Sequence, residues 1–240
     1  MIYTFLHNGD TAVTVQFKNE ISKEVNGYVT SLSDRMEKEG IKGVTELIPA
    51  FASLTVVYDP VVISSRKLQR KIKRLLSSVR ENQKSDKVIY KIPVCYEGDF
   101  APDMEHVISH TGLSREEIVR LHTGTDYLIY MLGFLPGFAY LGGMDSRLNT
   151  PRLASPRAEI FEGAVGIGGE QTGIYPVASP GGWQLIGKTP VKVYDKSKEN
   201  PILYKAGEYI RFFSVSYEEY LQIEKAVQAG TYTVERTVLA

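Results

Sequence analysis

The stretch from Gly133 to Pro190 constrains this chain more than any other. It holds 12 of the 21 glycines and 6 of the 11 prolines. Its short apolar runs, Phe138 to Leu141, Ala164 to Ile167 and Trp183 to Ile186, alternate with glycine and proline. Glycine opens the backbone to positive φ, while proline fixes φ and removes a donor. Such a pattern cannot run as a helix, and it predicts short strands joined by tight turns. These turns also crowd backbone N–H groups, Arg152, Arg157, Gln171, Thr172 and Ser179 into a small region. That reads as a site, although the turns of a purely structural β barrel share the composition.

Charge narrows the function classes. Lys and Arg number 28 against 28 Asp and Glu, so at the whole-chain level nothing points to nucleic acid or a membrane surface as partner. The single cysteine, Cys95, excludes an internal disulfide and suits a reducing compartment. No apolar run approaches the ~18 residues of a membrane span. The opening MIYTFLHNGD lacks the basic and apolar regions of a signal peptide. The expectation is a soluble, cytoplasmic protein.

Read in order, Ile2 to Phe5 and Ala12 to Phe17 are strands around a His7-Asn8-Gly9-Asp10 turn. A helix from Glu20 to Glu39 carries an apolar stripe of Ile21, Val25, Tyr28, Val29, Leu32 and Met36, and Gly40 stops it. Val44 to Ile48 and Leu54 to Tyr58 are strands. A second helix, capped by Ser64 or Ser65, turns Leu68, Ile72, Leu75, Leu76 and Val79 inward. Its cations, Arg66, Lys67, Arg70, Lys71, Lys73, Arg74 and Arg80, suit a solvated face or an acidic partner. The order ββαββα implies a compact sheet with helices on one side. The polar run Glu81 to Asp86 marks a boundary between a small α/β domain, 1–84, and a second domain, 85–240. The second half offers a strand at Val88 to Tyr96, short helices at Asp103 to Ser109 and after the Ser114–Glu117 capping box, and a strand at Tyr127 to Leu132. Beyond the glycine-rich stretch come strands at Val191 to Tyr194, Ile202 to Tyr204 and Tyr209 to Val215. A helix at Tyr217 to Val227 and an edge strand within Thr231 to Val238 complete the chain. Many short strands with few helices predict a barrel or closed sandwich.

Several motifs lose their force on inspection. Gly182 to Thr189 matches a P-loop letter for letter, but Pro190 and an alternating Val191-Lys192-Val193-Tyr194 follow where a phosphate-binding helix is required. Gly166-x-Gly168 lacks the third glycine and the helix of a dinucleotide fingerprint. His106 and His110 are one helical turn apart with no third ligand at sensible spacing, so no metal site is expected. Cys95 has no nucleophile motif around it. His122 is either a general base or a hydrogen-bonded structural histidine. Arg152 and Arg157, on a proline-stiffened segment, suit recognition of a carboxylate or phosphate, or stand on a barrel surface. Trp183 lines a pocket or plugs the barrel end.

Together, GFLPGFAYLGG, PRLASPR, GAVGIGGEQTGIYP and SPGGWQLIGKTP resemble the KipI / allophanate hydrolase subunit 1 family, which supplies the B-type component of the ATP-dependent 5-oxoprolinase. His7-x-x-Asp10-x-Ala12, Leu54-Thr-Val-x-Tyr58-Asp59-Pro60 and Ile92-Pro-Val-Cys-Tyr extend the resemblance over nearly the whole chain. Phe161-Glu162-Gly163 departs from the family's usual Pro-Ala-Gly, and Lys188 stands where arginine is more usual. The resemblance implies a ferredoxin-like ββαββα domain followed by a cyclophilin-like β barrel. It implies opening of 5-oxo-L-proline to L-glutamate with ATP, which converts a stable lactam into a better leaving group, alongside a KipA-like protein and a LamB/YcsF-like protein. On that basis Arg152 and Arg157 hold a carboxylate or phosphoryl group, with His122 a possible base. Backbone N–H groups around Gly168, Gly169, Gly181 and Gly182 meet developing oxyanion charge, and Gln171, Thr172 and Tyr175 orient the substrate near Ser179 and Trp183. An alternative from the same family is inhibition of a sensor histidine kinase through protein–protein binding.

Overall fold

The computed structural model describes residues 2–20, 22–77 and 87–239. The chain divides into two compact units, Met1–Ser85 and Asp86–Ala240. The boundary expected at Glu81 to Asp86, like Ile21, Val79 and Arg80, lies outside the described residues.

In the first unit, β1 (Tyr3–Asn8), β2 (Ala12–Phe17), α1 (Lys23–Glu39), β3 (Val44–Pro49), β4 (Ser53–Tyr58) and α2 (Ser65–Leu76) follow the expected order. All pairs are antiparallel, in the spatial order β1-β2-β4-β3. The Ser22 hydroxyl caps α1 by accepting from the Val25 N–H, and Gly40 ends it at φ 55°. Val25, Val29, Leu32 and Met36 of α1 pack with Leu68, Ile72 and Leu76 of α2 on Val13, Val15, Leu54 and Val56. Burial of each such side chain contributes about 1.5–3 kcal/mol. Among the cations of α2, Arg74 pairs with Glu39 at 2.6 Å and Lys73 lies over the Phe5 ring at 5.7 Å. This is a solvated face.

The second unit runs β5 (Lys87–Val94), α3 (Met104–Thr111), α4 (Arg115–Thr123), β6 (Tyr127–Leu132), β7 (Ala139–Gly142), β8 (Arg157–Ile160), β9 (Ala164–Gly168), β10 (Gln171–Ile174), β11 (Ser179–Gly181), β12 (Gln184–Lys188), β13 (Tyr209–Ser214), α5 (Tyr217–Gln228) and β14 (Arg236–Leu239). Eight strands form one sheet in the order β12-β9-β10-β7-β6-β13-β5-β14, while β8 and β11 pair separately. The capping boxes at Ser114–Glu117 and Ser216–Glu219 start α4 and α5.

Two expectations need correction. The sheet does not close into a barrel, because its order ends at β12 and β14. It curls until Cys95, just past β5, exchanges two 2.9 Å hydrogen bonds with Lys188 of β12, a seam one bridge wide. The strands expected at Val191 to Tyr194 and Ile202 to Tyr204 reduce to a single Tyr194–Ile202 bridge. Their alternation reflects anchoring, since Val191, Val193 and Tyr204 are buried in the core without a ladder partner.

One turn locks the sheet to its neighbour segment. Gly163 has φ 80°, and a methyl group there would overlap the Thr189 carbonyl oxygen. Left-handed strain and overpacking add. Gly163→Ala should lower stability by about 2–4 kcal/mol, read as a drop in melting temperature; an unchanged midpoint would mean the turn relaxes freely.

Candidate functional site

The glycine-rich stretch is organised around one indole. A methyl group at Gly173 would stand 3.1 Å from Trp183 Cζ3, one at Gly168 would meet its Cδ1 at 2.5 Å, and one at Gly166 would stand 3.2 Å from its Cβ. Gly168 of β9 and Gly173 of β10 form the floor on which the ring lies, and Gly166 clears the stem of the side chain. Phe138 and Tyr175 meet it edge-on, with centroids 5.4 Å and 6.3 Å away. Ile160, Ala164 and Leu185 complete this second small core. Much of the glycine signal is therefore clearance for Trp183, which is a buried ring.

Both arginines converge on this residue but do different work. The guanidinium of Arg157 donates to Asp103 Oδ1 at 2.6 Å and lies 3.5 Å from the Trp183 carbonyl oxygen. Asp103 is buried, and its Oδ2 accepts from the Leu185 N–H at 2.6 Å, while its own N–H donates to the Leu185 carbonyl at 3.0 Å. Arg157 thus neutralises a buried carboxylate that fastens β12. In this structure it is engaged by that carboxylate, where the sequence reading gave it an anion-holding role. Arg152 is exposed, stands 5.7 Å over the Trp183 ring and has no carboxylate at ion-pair distance among the described residues. It is the guanidinium left for a ligand.

Other expected donors divide in the same way. The Gly169 N–H bonds the Thr150 carbonyl at 2.8 Å, which removes it as an oxyanion donor. Gly168 serves the floor, and a side chain at Gly181 would strike the Tyr175 hydroxyl and Ile160. Gly182 is only partly buried; its carbonyl accepts from Leu153 at 2.7 Å, and its N–H has no partner among the described residues. Gln171 Nε2 and Ser179 Oγ are buried without a hydrogen-bond partner among the described residues. Gln171 faces Gly168 across β9 and β10, so it shares the indole's side of the sheet. Tyr175 is buried, packs edge-on against Trp183, and burial pushes its hydroxyl pKa up.

His122 is not offered to a substrate either. It is fully buried on α4, stacked on Phe212 at 4.6 Å. The Thr172 hydroxyl donates to the Gly166 carbonyl at 3.0 Å, so its oxygen accepts from His122 Nε2 at 2.8 Å. That leaves Nδ1 to accept from the Tyr96 hydroxyl at 2.7 Å. The hydrogen bonds run one way, Tyr96 to His122 to Thr172 to Gly166, and require a neutral imidazole. Burial agrees, holding the ring's pKa down to about 3. Thr172 is therefore a member of this relay, turned inward and away from the indole's side of the sheet.

The remaining candidates are quickly placed. His106 and His110 are exposed, with stacked rings 6.4 Å apart. Among the described residues no three His, Cys, Asp or Glu side chains are grouped to hold a metal. Cys95 is buried, and burial raises its thiol pKa. The P-loop-like run folds largely as β12, with an irregular segment and no helix after it. Among the described residues no helix is long and apolar enough to cross a membrane.

Sequence reasoning missed four groups. Asp103 read only as a helix start, and Tyr96 only as a strand end. Gln184, whose Nε2 donates to the Pro151 carbonyl at 2.9 Å, carried no signal. Phe134 is an exposed aromatic at φ 66°, where glycine was the expected occupant of positive φ.

Residues 3–204 match the model of the carboxyltransferase domain, subdomain C and D, and the chain belongs to that family. Within it the likeness sharpens. The chain is 43% identical over 222 residues to the B subunit of 5-oxoprolinase from Bacillus subtilis (strain 168), covering 88% of this chain and 92% of that one. It is 37% identical over 205 residues to the B subunit of 5-oxoprolinase from Escherichia coli O157:H7, covering 85% and 92%. Among solved structures, TTHA0988 superposes with a TM-score of 0.75 at 35% identity, covering 85% of this chain and 40% of that longer one.

Two outcomes follow from the geometry. Gly168→Ala should displace the only tryptophan, shift its fluorescence to longer wavelength and cost about 1–3 kcal/mol; an unshifted spectrum would dismiss the floor. His122 has an ordinary value of 6.5 but a folded value of about 3. Between those limits the unfolded chain binds a proton that the folded one does not. The stability this group contributes is therefore complete above pH 6.5 and is lost as pH falls, at up to about 1.4 kcal/mol per unit. Wild type should show that extra slope below pH 6 relative to His122→Gln in urea titrations, and equal slopes would place His122 outside the relay.

Proposed function

We propose that this chain is the B-type component of an ATP-dependent 5-oxoprolinase that opens 5-oxo-L-proline to L-glutamate. It works in a cytoplasmic complex with a KipA-like protein and a LamB/YcsF-like protein, and is inactive alone. The observation that carries this reading is the exposed Arg152 guanidinium on Trp183, without an acidic partner among the described residues, in a chain 43% identical to a protein named for that role. The scaffold is read as a ferredoxin-like unit followed by a cyclophilin-like one.

Arg152 binds the substrate carboxylate through paired N–H donors. The Gly182 N–H, close in sequence to the indole, is aimed at oxygen that gains negative charge as the lactam opens. Gln171 Nε2 and Ser179 Oγ supply further donors. Arg157, Thr172, Tyr175 and His122 keep the floor and strands in register. Arg152 stands in solvent, and charge stabilisation of this kind needs a drier site. That supports a companion protein as the cover, as does the longer chain in which the solved relative carries its matching part. Gly182 to Thr189 does not fit a nucleotide, because β12 occupies it and no helix N-terminus follows. ATP is thus assigned to another member of the complex, and no step on this chain runs through it.

In a complex reconstituted with the KipA-like and LamB/YcsF-like proteins and ATP, Arg152→Ala should lower kcat/KM for 5-oxo-L-proline about 100-fold at unchanged melting temperature. Arg152→Lys should recover part of it, since lysine keeps the charge but loses the fork. Undiminished turnover by Arg152→Ala would remove Arg152 from the site, and an inactive wild-type complex would sink the reading.

A further inference from the structure

A cleft of about 200 Å3 is lined by Glu162, Lys188, Lys192, Tyr220 and Glu224, with the 188–192 segment and one face of α5 among its walls. At ~30 Å3 per water it has room for about seven waters, below the ~300 Å3 of a drug-sized pocket. A small ligand fits and a nucleotide does not.

The Lys188 ammonium sits within a cage of rings, 5.0 Å from Phe100, 5.4 Å from Phe161 and 5.6 Å from Tyr220. Among the described residues no carboxylate reaches ion-pair distance of its nitrogen and no acceptor takes its N–H groups. Ring faces stabilise a cation but accept N–H only weakly, so the donors stay available to a stronger acceptor. Lys192 adds a second cation to the cleft. The same lining holds two carboxylates, Glu162 and Glu224, of which Glu224 accepts from the Tyr220 hydroxyl at 3.0 Å. A simple anion would meet those carboxylates, and a simple amine would meet the two ammoniums. A molecule carrying both a carboxylate and an N–H donor satisfies each wall.

The geometry points to a binding site for a small amino-acid-like carboxylate, its carboxylate held by the Lys188 ammonium and its N–H or ammonium by Glu224 or Glu162. The residues are separate from Arg152 and Trp183, so the inference stands or falls apart from the 5-oxoprolinase reading.

Isothermal titration of the chain with L-glutamate and with 5-oxo-L-proline tests it, with acetate and methylamine as single-ended probes. At least one of the first two should bind one-to-one, and both single-ended probes should bind at least about tenfold more weakly. Lys188→Met keeps the length of the side chain and its ring contacts, and should weaken binding at least about tenfold. Lys198→Met makes the same charge change on an exposed turn and should leave binding unchanged. If Lys188→Met melts early, Glu224→Gln, which keeps an acceptor for Tyr220, should weaken binding instead. Absence of binding by both two-ended probes, acetate binding as tightly as L-glutamate, or full affinity in a folded Lys188→Met would each overturn the proposal.

Discussion

An indole can lie flat on a sheet only where the strands beneath it carry no side chains. Trp183 imposes that condition on β9 and β10, where Gly168 and Gly173 meet it beneath the ring and Gly166 clears its Cβ. Once the ring is down, Phe138 and Tyr175 close around its edges and Arg152 finds a π face to stand on. The candidate site thus grows from a packing requirement, with the polar groups distributed along its rim.

Two buried polar assemblies hold the sheet that carries the ring. Asp103 and Arg157 fasten β12 through the Leu185 amide, and breaking such a pair costs far more than the pair contributes, because a charge would be left in a dry site. On the other side of the sheet, the relay from Tyr96 through His122 and Thr172 to Gly166 joins α4 to β10 and β9. Both leave every buried donor or acceptor along their main path satisfied, which is what allows polar side chains to sit within an apolar core.

How much of this was legible depended on range. Elements written in local chemistry came through: the capping box of α4, the Gly40 stop and the alternation of β4 all match the sequence reading. Alternation misled at Val191 to Tyr194, where buried valines anchor a loop, because periodicity records burial and not hydrogen bonding. The roles of the site residues were less visible. Arg157 and Asp103 lie 54 positions apart and His122 and Thr172 50, so nothing local announced either contact. Without those partners, Arg157 looked like Arg152, and His122 stood open between a base and a structural histidine. The glycines stood out in the sequence, yet the single large residue they make room for gave no sign there of lying on them.

One short strand carries an unusual share of these attachments. At its start β12 follows the indole, in its middle Leu185 meets Asp103, and at its end Lys188 bridges Cys95 beside the residue that opens the relay. Side chains alternate across a strand, so a slip of one position would turn Leu185 and Gln184 to the wrong faces together. It would also unseat the ring and part the seam. β12 therefore acts as the key of the lock: five residues whose single permitted setting fixes both faces of the sheet at once.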